Sequence, residues 1–394
     1  MQRNSNQSNL GRRASGLARS GIREIFNLAQ DIPDYINFGL GEPDFDTPAP
    51  IVAAAVEAAQ SGKTHYTVNA GLPDLRRRVS EHLHGLHGLL YDPSDSVIIT
   101  AGGMGGLYLS MQSLLDEGDE VLLPEPSWPN YVAQVRLAGA TPVMVALTPD
   151  DGFTLTVDKL QRALTERTRV ILLNTPANPT GAVLSAEQLS SLGEFAADNG
   201  LFVISDEVYD QFVWSDTGHA SIARESAAHD RTVIVNSLSK SYAMTGWRVG
   251  FSAGPPELIS LMVKLQENIY ACPSSVSQYA AIAALEHGAR SVSDMKAAYR
   301  ERRAVALDRI RAIPGISALE PEGAFYMFLD IRATGLDSRE FAMRLLREKG
   351  LALIPGTAFG QSGDGFVRIS YATGISQIQA GFDRLEAFIR ELID

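Results

Sequence analysis

A lysine followed eight positions later by an arginine forms the part of this sequence best suited to covalent chemistry. Lys240 and Arg248 belong to the stretch Ser-Leu-Ser-Lys-Ser-Tyr-Ala-Met-Thr-Gly-Trp-Arg-Val-Gly, which begins at Ser237. A lysine that attacks a carbonyl group must first lose its proton, and burial and nearby positive charge both lower its pKa. The small neighbours leave room for a bulky group. The stretch indicates a Schiff-base lysine, and the alternative is a lysine in a surface loop.

A glycine-rich turn stands between a predicted strand and a predicted helix. The strand covers Ser96–Thr100, the helix covers Leu107–Leu115, and Ala-Gly-Gly-Met-Gly-Gly lies between them. Free backbone N–H groups at such a turn, together with the helix N-terminus, can hold a phosphate. Tyr108 stands where a dinucleotide-binding fingerprint needs glycine, and the Gly-Lys-Ser/Thr of a P-loop is missing. A phosphate cradle and a plain tight turn both fit this segment.

An acidic residue is predicted at the carboxyl end of the sheet. The strand Leu201–Ser205 leads directly into Asp206, and Tyr209 follows three residues later. A carboxylate at this position can pair with a protonated pyridine nitrogen and so make the ring an electron sink. The tyrosine could then hydrogen-bond a hydroxyl group of the same ring. The alternative for Asp206 is an ordinary helix N-cap.

Two further loop residues could contact a planar ligand. Asn178 lies between two prolines and a glycine in Asn-Thr-Pro-Ala-Asn-Pro-Thr-Gly, so its amide is held rigidly. It could serve a ring oxygen and a carboxylate, or simply form an Asx-turn. Trp128, in Pro-Ser-Trp-Pro after a strand, could stack on a ring. Core packing is the more usual fate of a tryptophan.

The elements that position these residues alternate along the chain. Apolar strands between helices predict an α/β fold with a mostly parallel sheet covered by helices, followed by a smaller α+β domain. We predict a flexible arm over 1–23, a large domain over 48–284, and a small domain made of 24–47 and 285–394. The other predicted elements are strands at Glu120–Leu123, Val170–Asn174, Thr232–Ser237, Arg248–Ser252, Gly323–Asp330 and Phe366–Tyr371 and a helix at Arg300–Arg311.

Composition excludes several classes of protein. The 394-residue chain has a formal net charge of −12, which disfavours a nucleic-acid partner. No apolar run reaches the roughly 18 residues that cross a bilayer, so no membrane partner is expected. The single cysteine, Cys272, excludes a disulfide framework and is typical of a reducing cytoplasm. His82, His84 and His87 lack the spacing of a helical zinc pair, so we interpret them as a solvated helix face and expect no metal.

Taken in order, these segments resemble the class I/II aminotransferases, the aspartate-aminotransferase-like enzymes of fold type I that depend on pyridoxal phosphate. The resemblance runs from Phe38 to Ala372. Several motifs are weak singly, but their joint occurrence in the family's order is not coincidental. The further motifs are Gly39-Leu-Gly41-Glu-Pro-Asp-Phe, Tyr66-Thr-x-x-x-Gly71-x-Pro73-x-Leu75-Arg76, Gly323-Ala-Phe-Tyr326, Pro355-Gly356 and Arg368-Ile-Ser-Tyr371.

The resemblance implies a role for each matching residue. Lys240 would form the Schiff base with pyridoxal 5'-phosphate and shuttle the proton, and Asp206 would pair with the pyridine nitrogen. A homodimer with composite active sites is implied, in which Tyr66 reaches the phosphate of the neighbouring subunit. The other implied roles are hydrogen bonds to the ring oxygen by Asn178 and Tyr209, phosphate contacts by Gly103, Met104, Ser237 and Arg248, stacking on the ring by Trp128, and binding of the substrate α-carboxylate by Arg368 and Gly41, with Trp128 and Asn178 beside the substrate.

One position departs from the family's pattern. Relatives often carry a polar side chain where this sequence has Met104, and some that act on acidic substrates carry a lysine there. A thioether suits apolar or aromatic groups. We therefore expect a neutral or aromatic L-amino acid as donor and a 2-oxo acid such as 2-oxoglutarate as acceptor. Aspartate stays an alternative donor, because an arginine from elsewhere could supply the missing charge.

Three functions are compatible with these motifs. The first is transfer of an amino group between an amino acid and a 2-oxo acid. The second is another reaction on the same cofactor, as in a β-lyase, synthase or oxidase. The third is a regulator, since aminotransferase-like domains occur fused to DNA-binding modules. Only about 40 residues precede Gly41, too few for such a module, and the acidic charge also opposes it. We therefore favour an aminotransferase.

Overall fold

A seven-stranded sheet forms the centre of the protein. The computed structural model describes residues 11–17 and 21–393. The spatial order of the strands is β2-β8-β7-β6-β5-β3-β4, and β8 alone among them runs antiparallel to its neighbours. The strands are β2 (Val97–Thr100), β3 (Glu120–Glu125), β4 (Thr141–Ala146), β5 (Thr168–Asn174), β6 (Phe202–Asp206), β7 (Thr232–Ser237) and β8 (Gly250–Ala253).

The central strands form because their residues are apolar on both faces. Every residue of β7 is buried, and in β5 and β6 nearly every residue is buried too. Such strands need helices on both sides of the sheet. The predicted α/β class is therefore confirmed. The exposed edge strand β4 escaped prediction because its Thr-Pro-Val-Met-Val-Ala sequence carries a proline and only one buried residue.

Helices cover the two faces of this sheet and the second, smaller group of strands. The longest is α12, which contains the predicted charged helix and packs against α14. The helices are α1 (Arg12–Ser15), α2 (Gly21–Ala29), α3 (Ala49–Gln60), α4 (Pro73–His87), α5 (Gly102–Leu114), α6 (Asn130–Leu137), α7 (Val157–Ala163), α8 (Ala186–Asp198), α9 (Leu238–Ser241), α10 (Pro256–Tyr270), α11 (Ser275–His287), α12 (Ala289–Ala312), α13 (Ser338–Lys349) and α14 (Ile375–Ile393).

Two small sheets lie beside the large one. The order β12-β13-β10-β9 is antiparallel throughout, and β1 pairs in parallel with β11. The predicted antiparallel pair of strands is thus present as β10 and β13. The strands are β1 (Ile36–Asn37), β9 (Ser317–Ala318), β10 (Tyr326–Asp330), β11 (Leu351–Ala352), β12 (Ile354–Pro355) and β13 (Phe366–Ser370).

The predicted strand from Gly323 begins three residues later than expected. Gly323 forms an isolated bridge with Val213, and Ala324 has a φ of 56°. A residue in the left-handed region cannot continue a strand, so the ladder starts at Tyr326. Short 3-10 helices occur at Pro149–Asp151, Ile222–Arg224, His229–Arg231, Thr245–Trp247, Arg332–Thr334, Gly356–Phe359 and Gln361–Gly363.

The predicted division into arm, large domain and small domain remains a prediction. Part of the predicted arm, 1–10 and 18–20, lies outside the described residues. Within residues 11–17 and 21–393, no helix is long and apolar enough to cross a membrane. The same residues contain no cluster of three or more histidine, cysteine or acidic side chains arranged to hold a metal ion.

Replacing Gly181 by alanine is expected to destabilise the protein by about 2–5 kcal/mol. Gly181 has a φ of 73°, and a Cβ there would lie 2.4 Å from Cβ of Pro321 and 3.1 Å from two backbone oxygens. Gly200 is the matched control, because its φ of 64° is similar but a Cβ would meet nothing within 4 Å. Gly200→Ala should cost only about 1–2 kcal/mol. Urea denaturation of both variants gives the comparison, and equal losses would contradict the packing argument.

Candidate active site

One cavity lies at the carboxyl ends of the parallel strands, the usual ligand site of such sheets. Its volume is about 520 Å³, which suits a small molecule. Tyr66 is the one predicted site residue outside it, and its side chain is 88% exposed. The predicted residues that line the cavity are Gly41, Gly103, Met104, Trp128, Asn178, Asp206, Tyr209, Ser237, Lys240, Arg248 and Arg368.

Lys240 enters the cavity from the short helix α9, which follows directly on β7. The hydroxyl of Ser237 accepts a hydrogen bond from the backbone N–H of Ser239 at 3.1 Å and so caps this helix. Lys240 Nζ donates to the backbone oxygen of Gly41 at 2.6 Å. Burial lowers the pKa of Lys240 to about 8, and the charge of Arg368 adds to this effect. The amine is therefore ready to act as a base or nucleophile near neutral pH.

Asp206 is the last residue of β6, and its carboxylate is buried at the floor of the cavity. Tyr131 donates its O–H to Oδ2 at 2.7 Å, and the N–H of Val208 donates to Oδ1 at 3.2 Å. Burial raises the pKa of Asp206 to about 6, while these two donors oppose the rise. The chain turns after Glu207 without starting a helix, so the N-cap alternative does not apply.

A second buried polar cluster lies directly behind this carboxylate. The carboxylate of Glu207 accepts hydrogen bonds from two serine hydroxyls at 2.7 Å and lies 3.0 Å from Nε2 of His219. The His219 ring packs edge-on against His87, with 5.4 Å between centroids. His87 is only 5% exposed, so a solvated face is wrong for this residue. It lies on the stripe of α4 that faces the core, whereas His84 is exposed.

Arg368 is a buried cation on β13 with no acidic partner within 4 Å among the described side chains. It is 2% exposed, and its guanidinium lies 4.5 Å above the Tyr326 ring centre. Nη1 donates to Oδ1 of Asn178 at 3.0 Å, and Nη2 donates to the backbone oxygen of Gly39. Nε has no partner. A buried charge held only by neutral groups can bind a carboxylate strongly.

Two tyrosines and an asparagine line the wall between these charges. The hydroxyls of Tyr209 and Tyr326 lie 2.8 Å apart, and Tyr326 also donates to the backbone oxygen of Gly41 at 3.3 Å. Asn178 is held by its backbone N–H, which donates to Oδ1 of Asn174 at 2.9 Å. The side chain of Asn178 therefore faces the cavity, where its Oδ1 accepts from Arg368, rather than closing the turn.

The N-terminus of α5 and Arg248 form an anion-binding corner. Arg248 Nη1 donates to the backbone oxygen of Thr245 at 2.8 Å. A Cβ at Gly102 would lie 2.9 Å from Arg248 Nη2, and a Cβ at Gly106 would lie 2.7 Å from Oγ of Ser252. The glycines therefore let the helix start against both the sheet and the guanidinium. Helix N–H groups and a positive charge together favour a phosphate-like group.

Met104 lies where this corner meets the rest of the cavity. Its sulfur faces two amides, Asn130 Nδ2 at 3.5 Å and Gln134 Nε2 at 3.6 Å. Trp128 stands edge-on to Tyr131 with 5.4 Å between ring centres, and it lines the cavity instead of being lost in the core. This end of the cavity is therefore aromatic and apolar, and two amides contact the sulfur of Met104.

The sequence reasoning assigned no role to Tyr131, Glu42 or Tyr326, although all three line the cavity. Tyr326 stood in a motif that matched the family. Tyr131 gave no signal except its place three residues after Trp128, and Glu42 stood beside Gly41. Only the folded arrangement shows that Tyr131 reaches Asp206.

Comparisons with known proteins agree with this geometry. The family model described as aminotransferase class I and II matches residues 33–385. The chain belongs to the class I and II aminotransferases. This aminotransferase is 41% identical to an aspartate aminotransferase of Pyrococcus abyssi and 40% identical to aromatic-amino-acid aminotransferase 2 of Thermococcus litoralis; each match covers 94% of this chain and 96% of the relative.

A solved structure agrees as well. The aspartate aminotransferase of Thermus thermophilus with maleate superimposes with a TM-score of 0.92 at 35% identity, covering 97% of this chain and 100% of that chain. The resemblance stated from the sequence is confirmed, and the activity of this enzyme is transamination.

Replacing Lys240 by methionine is expected to make the cofactor-free protein more stable at pH 7. The pKa of Lys240 is lowered in the folded state, so its charged form opposes folding at pH values below about 8. The advantage of Lys240→Met should shrink as the pH rises through about 8 toward 10, where the lysine becomes neutral. Urea denaturation across this range measures the difference. As a control, Lys63→Met changes an exposed lysine and should show no such trend.

Proposed function

We propose that this aminotransferase uses pyridoxal 5'-phosphate bound through Lys240. The observation that carries the proposal is that one cavity contains the amine of Lys240, the buried carboxylate of Asp206 and the guanidinium of Arg368. Among the described side chains, Arg368 has no acidic partner. The donor set fits the cofactor: an amine for its aldehyde, a carboxylate for its ring nitrogen, and helix N–H groups for its phosphate.

Each residue then has a task set by its surroundings. Gly103, Met104, Ser237 and Arg248 hold the phosphate with backbone N–H groups, a hydroxyl and a cation. Asn178 and Tyr209 would donate to the ring oxygen, and Trp128 would pack against the ring. Arg368 binds the α-carboxylate of the substrate in a bidentate pair, with Gly41 beside it.

Lys240 also moves the proton of the reaction. When bound, pyridoxal 5'-phosphate supplies an electron sink for a bond to the α-carbon of an amino acid. With the cofactor and substrate bound, the amine of Lys240 would accept the α-proton of the amino acid and later return it. A pKa of about 8 suits both directions, because general acid–base catalysis works best near the operating pH. The negative charge of Asp206 would keep the ring nitrogen of the bound cofactor protonated.

We propose a neutral or aromatic L-amino acid as donor and a 2-oxo acid such as 2-oxoglutarate as acceptor. The polarizable thioether of Met104 and the ring of Trp128 both line the cavity, which favours apolar groups. An aromatic-amino-acid aminotransferase stands among the similar relatives. Aspartate is the second candidate, since other relatives are named aspartate aminotransferases and the amides of Asn130 and Gln134 lie beside Met104.

A homodimer with composite sites is proposed from the exposed surface around Tyr66. This ring is 88% exposed, and Val68 in the same segment is 53% exposed. Two glutamines hold this segment in place. Gln266 donates a hydrogen bond to the backbone oxygen of Asn69, and Gln278 donates one to the hydroxyl of Thr67. Helices α3 and α10 also carry exposed apolar side chains, which an interface could cover: Val52, Val56, Leu261 and Ile269.

The central experiment is Lys240→Ala. This variant should lose the visible absorbance of lysine-bound cofactor and nearly all turnover, because Lys240 is the one lysine among the described residues that line the cavity. The half-reaction with single amino acids, followed by loss of that absorbance in wild-type holoenzyme, distinguishes transamination from a β-lyase, synthase or oxidase by its products. Wild-type turnover in the alanine variant would overturn the proposal.

Substrate choice is tested at Met104. Wild-type kcat/KM should be higher for phenylalanine, leucine or methionine than for aspartate. Met104→Lys should raise kcat/KM for aspartate relative to phenylalanine by about tenfold, because a cation gains a pair with the distal carboxylate. Met104→Leu is the matched control and should leave the preference unchanged. A wild-type preference for aspartate would show that another group supplies the charge.

The dimer is tested by complementation. Lys240→Ala and Tyr66→Ala chains, each nearly inactive alone, are mixed, unfolded and refolded together. Half of the dimers are then mixed, and one of their two sites combines an intact lysine with an intact tyrosine from the other chain, which restores about a quarter of wild-type activity. A fully active monomer in sedimentation, or no recovery despite mixed dimers, would contradict composite sites.

A further inference from the structure

Tyr131 is a buried tyrosine whose only side-chain hydrogen bond among the described residues goes to the carboxylate of Asp206. It is the second residue of α6, it is 1% exposed, and its O–H donates to Oδ2 at 2.7 Å. Its backbone N–H donates to the oxygen of Trp128 at 3.1 Å, and the two rings meet edge-on. One residue therefore holds both the acid at the cavity floor and the aromatic ring at the cavity wall.

We propose that Tyr131 is a positioning residue that keeps Asp206 ionised and aimed into the cavity. The inference rests on the proposed function, because the charge of Asp206 matters only if a ring nitrogen lies opposite it. Tyr131 does not need to touch the cofactor or the substrate for this role. It acts through the one hydrogen bond to Oδ2 and through its packing against Trp128.

The charges around Asp206 explain why this hydrogen bond is needed. Burial is the largest effect and favours the neutral acid, and the neighbouring carboxylate of Glu207 acts in the same direction. The charge of Lys240 is a weaker opposing influence than the hydrogen bonds from Tyr131 and Val208. The Val208 donor belongs to the turn that follows β6, so Tyr131 is the side-chain donor that a substitution can remove.

Tyr209 does not replace Tyr131 in this role. The hydroxyl of Tyr209 is engaged with Tyr326 at 2.8 Å. Tyr131 and Tyr209 are both buried, and burial raises the pKa of each well above its usual value, so neither phenol is a source of negative charge. The phenol of Tyr131 remains a neutral donor at every pH at which the enzyme is studied.

The first test uses the cofactor-free full chain and its pH-dependent stability. The pKa of Asp206 is raised in the folded state, so its ionisation opposes folding as the pH rises through about 6. Tyr131→Phe keeps the ring but removes the donor, which raises this pKa further. The unfolding equilibrium constant of the variant relative to wild type should therefore grow by about fivefold between about pH 6 and pH 8.

Two controls separate this effect from packing. In an Asp206→Asn background, Tyr131→Phe should give a ratio that no longer depends on pH, because the titrating carboxylate is gone. Tyr299→Phe removes another buried phenol oxygen, one without a hydrogen-bond partner in the described part of the chain, and its ratio should stay constant too. A constant ratio for Tyr131→Phe itself, or a trend that persists without Asp206, would overturn the proposal.

A second variant should change the pKa of Asp206 in the opposite direction, and it keeps the test usable if Tyr131→Phe does not fold. Incorporation of 3-fluorotyrosine at position 131 makes the phenol a stronger donor, so the pH profile should move to lower pH. A profile that does not move, or moves upward, would count against the hydrogen bond as the cause.

The last measurement uses the holoenzyme. Tyr131→Phe should slow α-proton removal in the half-reaction by about fivefold while KM changes little, since both measurements follow the same change in the pKa of Asp206. If the stability trend appears but this rate is unchanged, Tyr131 controls Asp206 and the function proposed for Asp206 fails. If the stability trend is absent, the inference about Tyr131 fails and the proposed function stands.

Discussion

The structure depends on keeping three ionisable groups out of water within one cavity. Lys240, Asp206 and Arg368 are each taken from bulk solvent, and burial is the largest influence on the pKa of every one of them. Isolated buried charges are strongly destabilising. Here the lysine and the acid move toward neutrality, while the arginine stays charged because its guanidinium cannot lose a proton in the working range. The same burial that weakens the fold gives the amine and the carboxylate their useful pKa values.

The sheets hold these three buried groups in place because they fix the backbone around each of them. Asp206 ends β6, Lys240 follows β7, and Arg368 sits within β13 of a separate antiparallel sheet. Parallel strands end along one edge, so side chains distant in sequence meet there without long loops. Arg368 reaches the same edge from the second sheet, and the cavity therefore lies between two packed layers.

Much of this could be predicted from the sequence, for a physical reason. Strands buried on both faces are continuous apolar runs, so β5, β6 and β7 were predicted within one or two residues. Predicting where these strands end also predicted the position of the site residues at their carboxyl ends. The edge strand β4 has a mixed pattern and no such signature.

The residues that sequence reasoning missed act across the fold. Tyr131 lies 75 positions from Asp206, and no local pattern connects them. His87 was interpreted as part of a solvated helix face because the three histidines lack the spacing of a zinc pair, yet it lies on the buried stripe of α4 and its ring packs against His219. Local spacing thus identifies groups that share an element, while pairs between elements depend on packing that the sequence does not display.

The backbone between Gly39 and Gly41 has one more consequence. Its carbonyl oxygens accept hydrogen bonds from Arg368, Lys240 and Tyr326. A ligand that engages those donors competes with the protein's own chain for them. Part of each new contact therefore replaces an existing one, and the net affinity is smaller than the contacts alone would give. For a catalyst that must release a product nearly identical to its substrate, this internal competitor keeps both from binding too tightly.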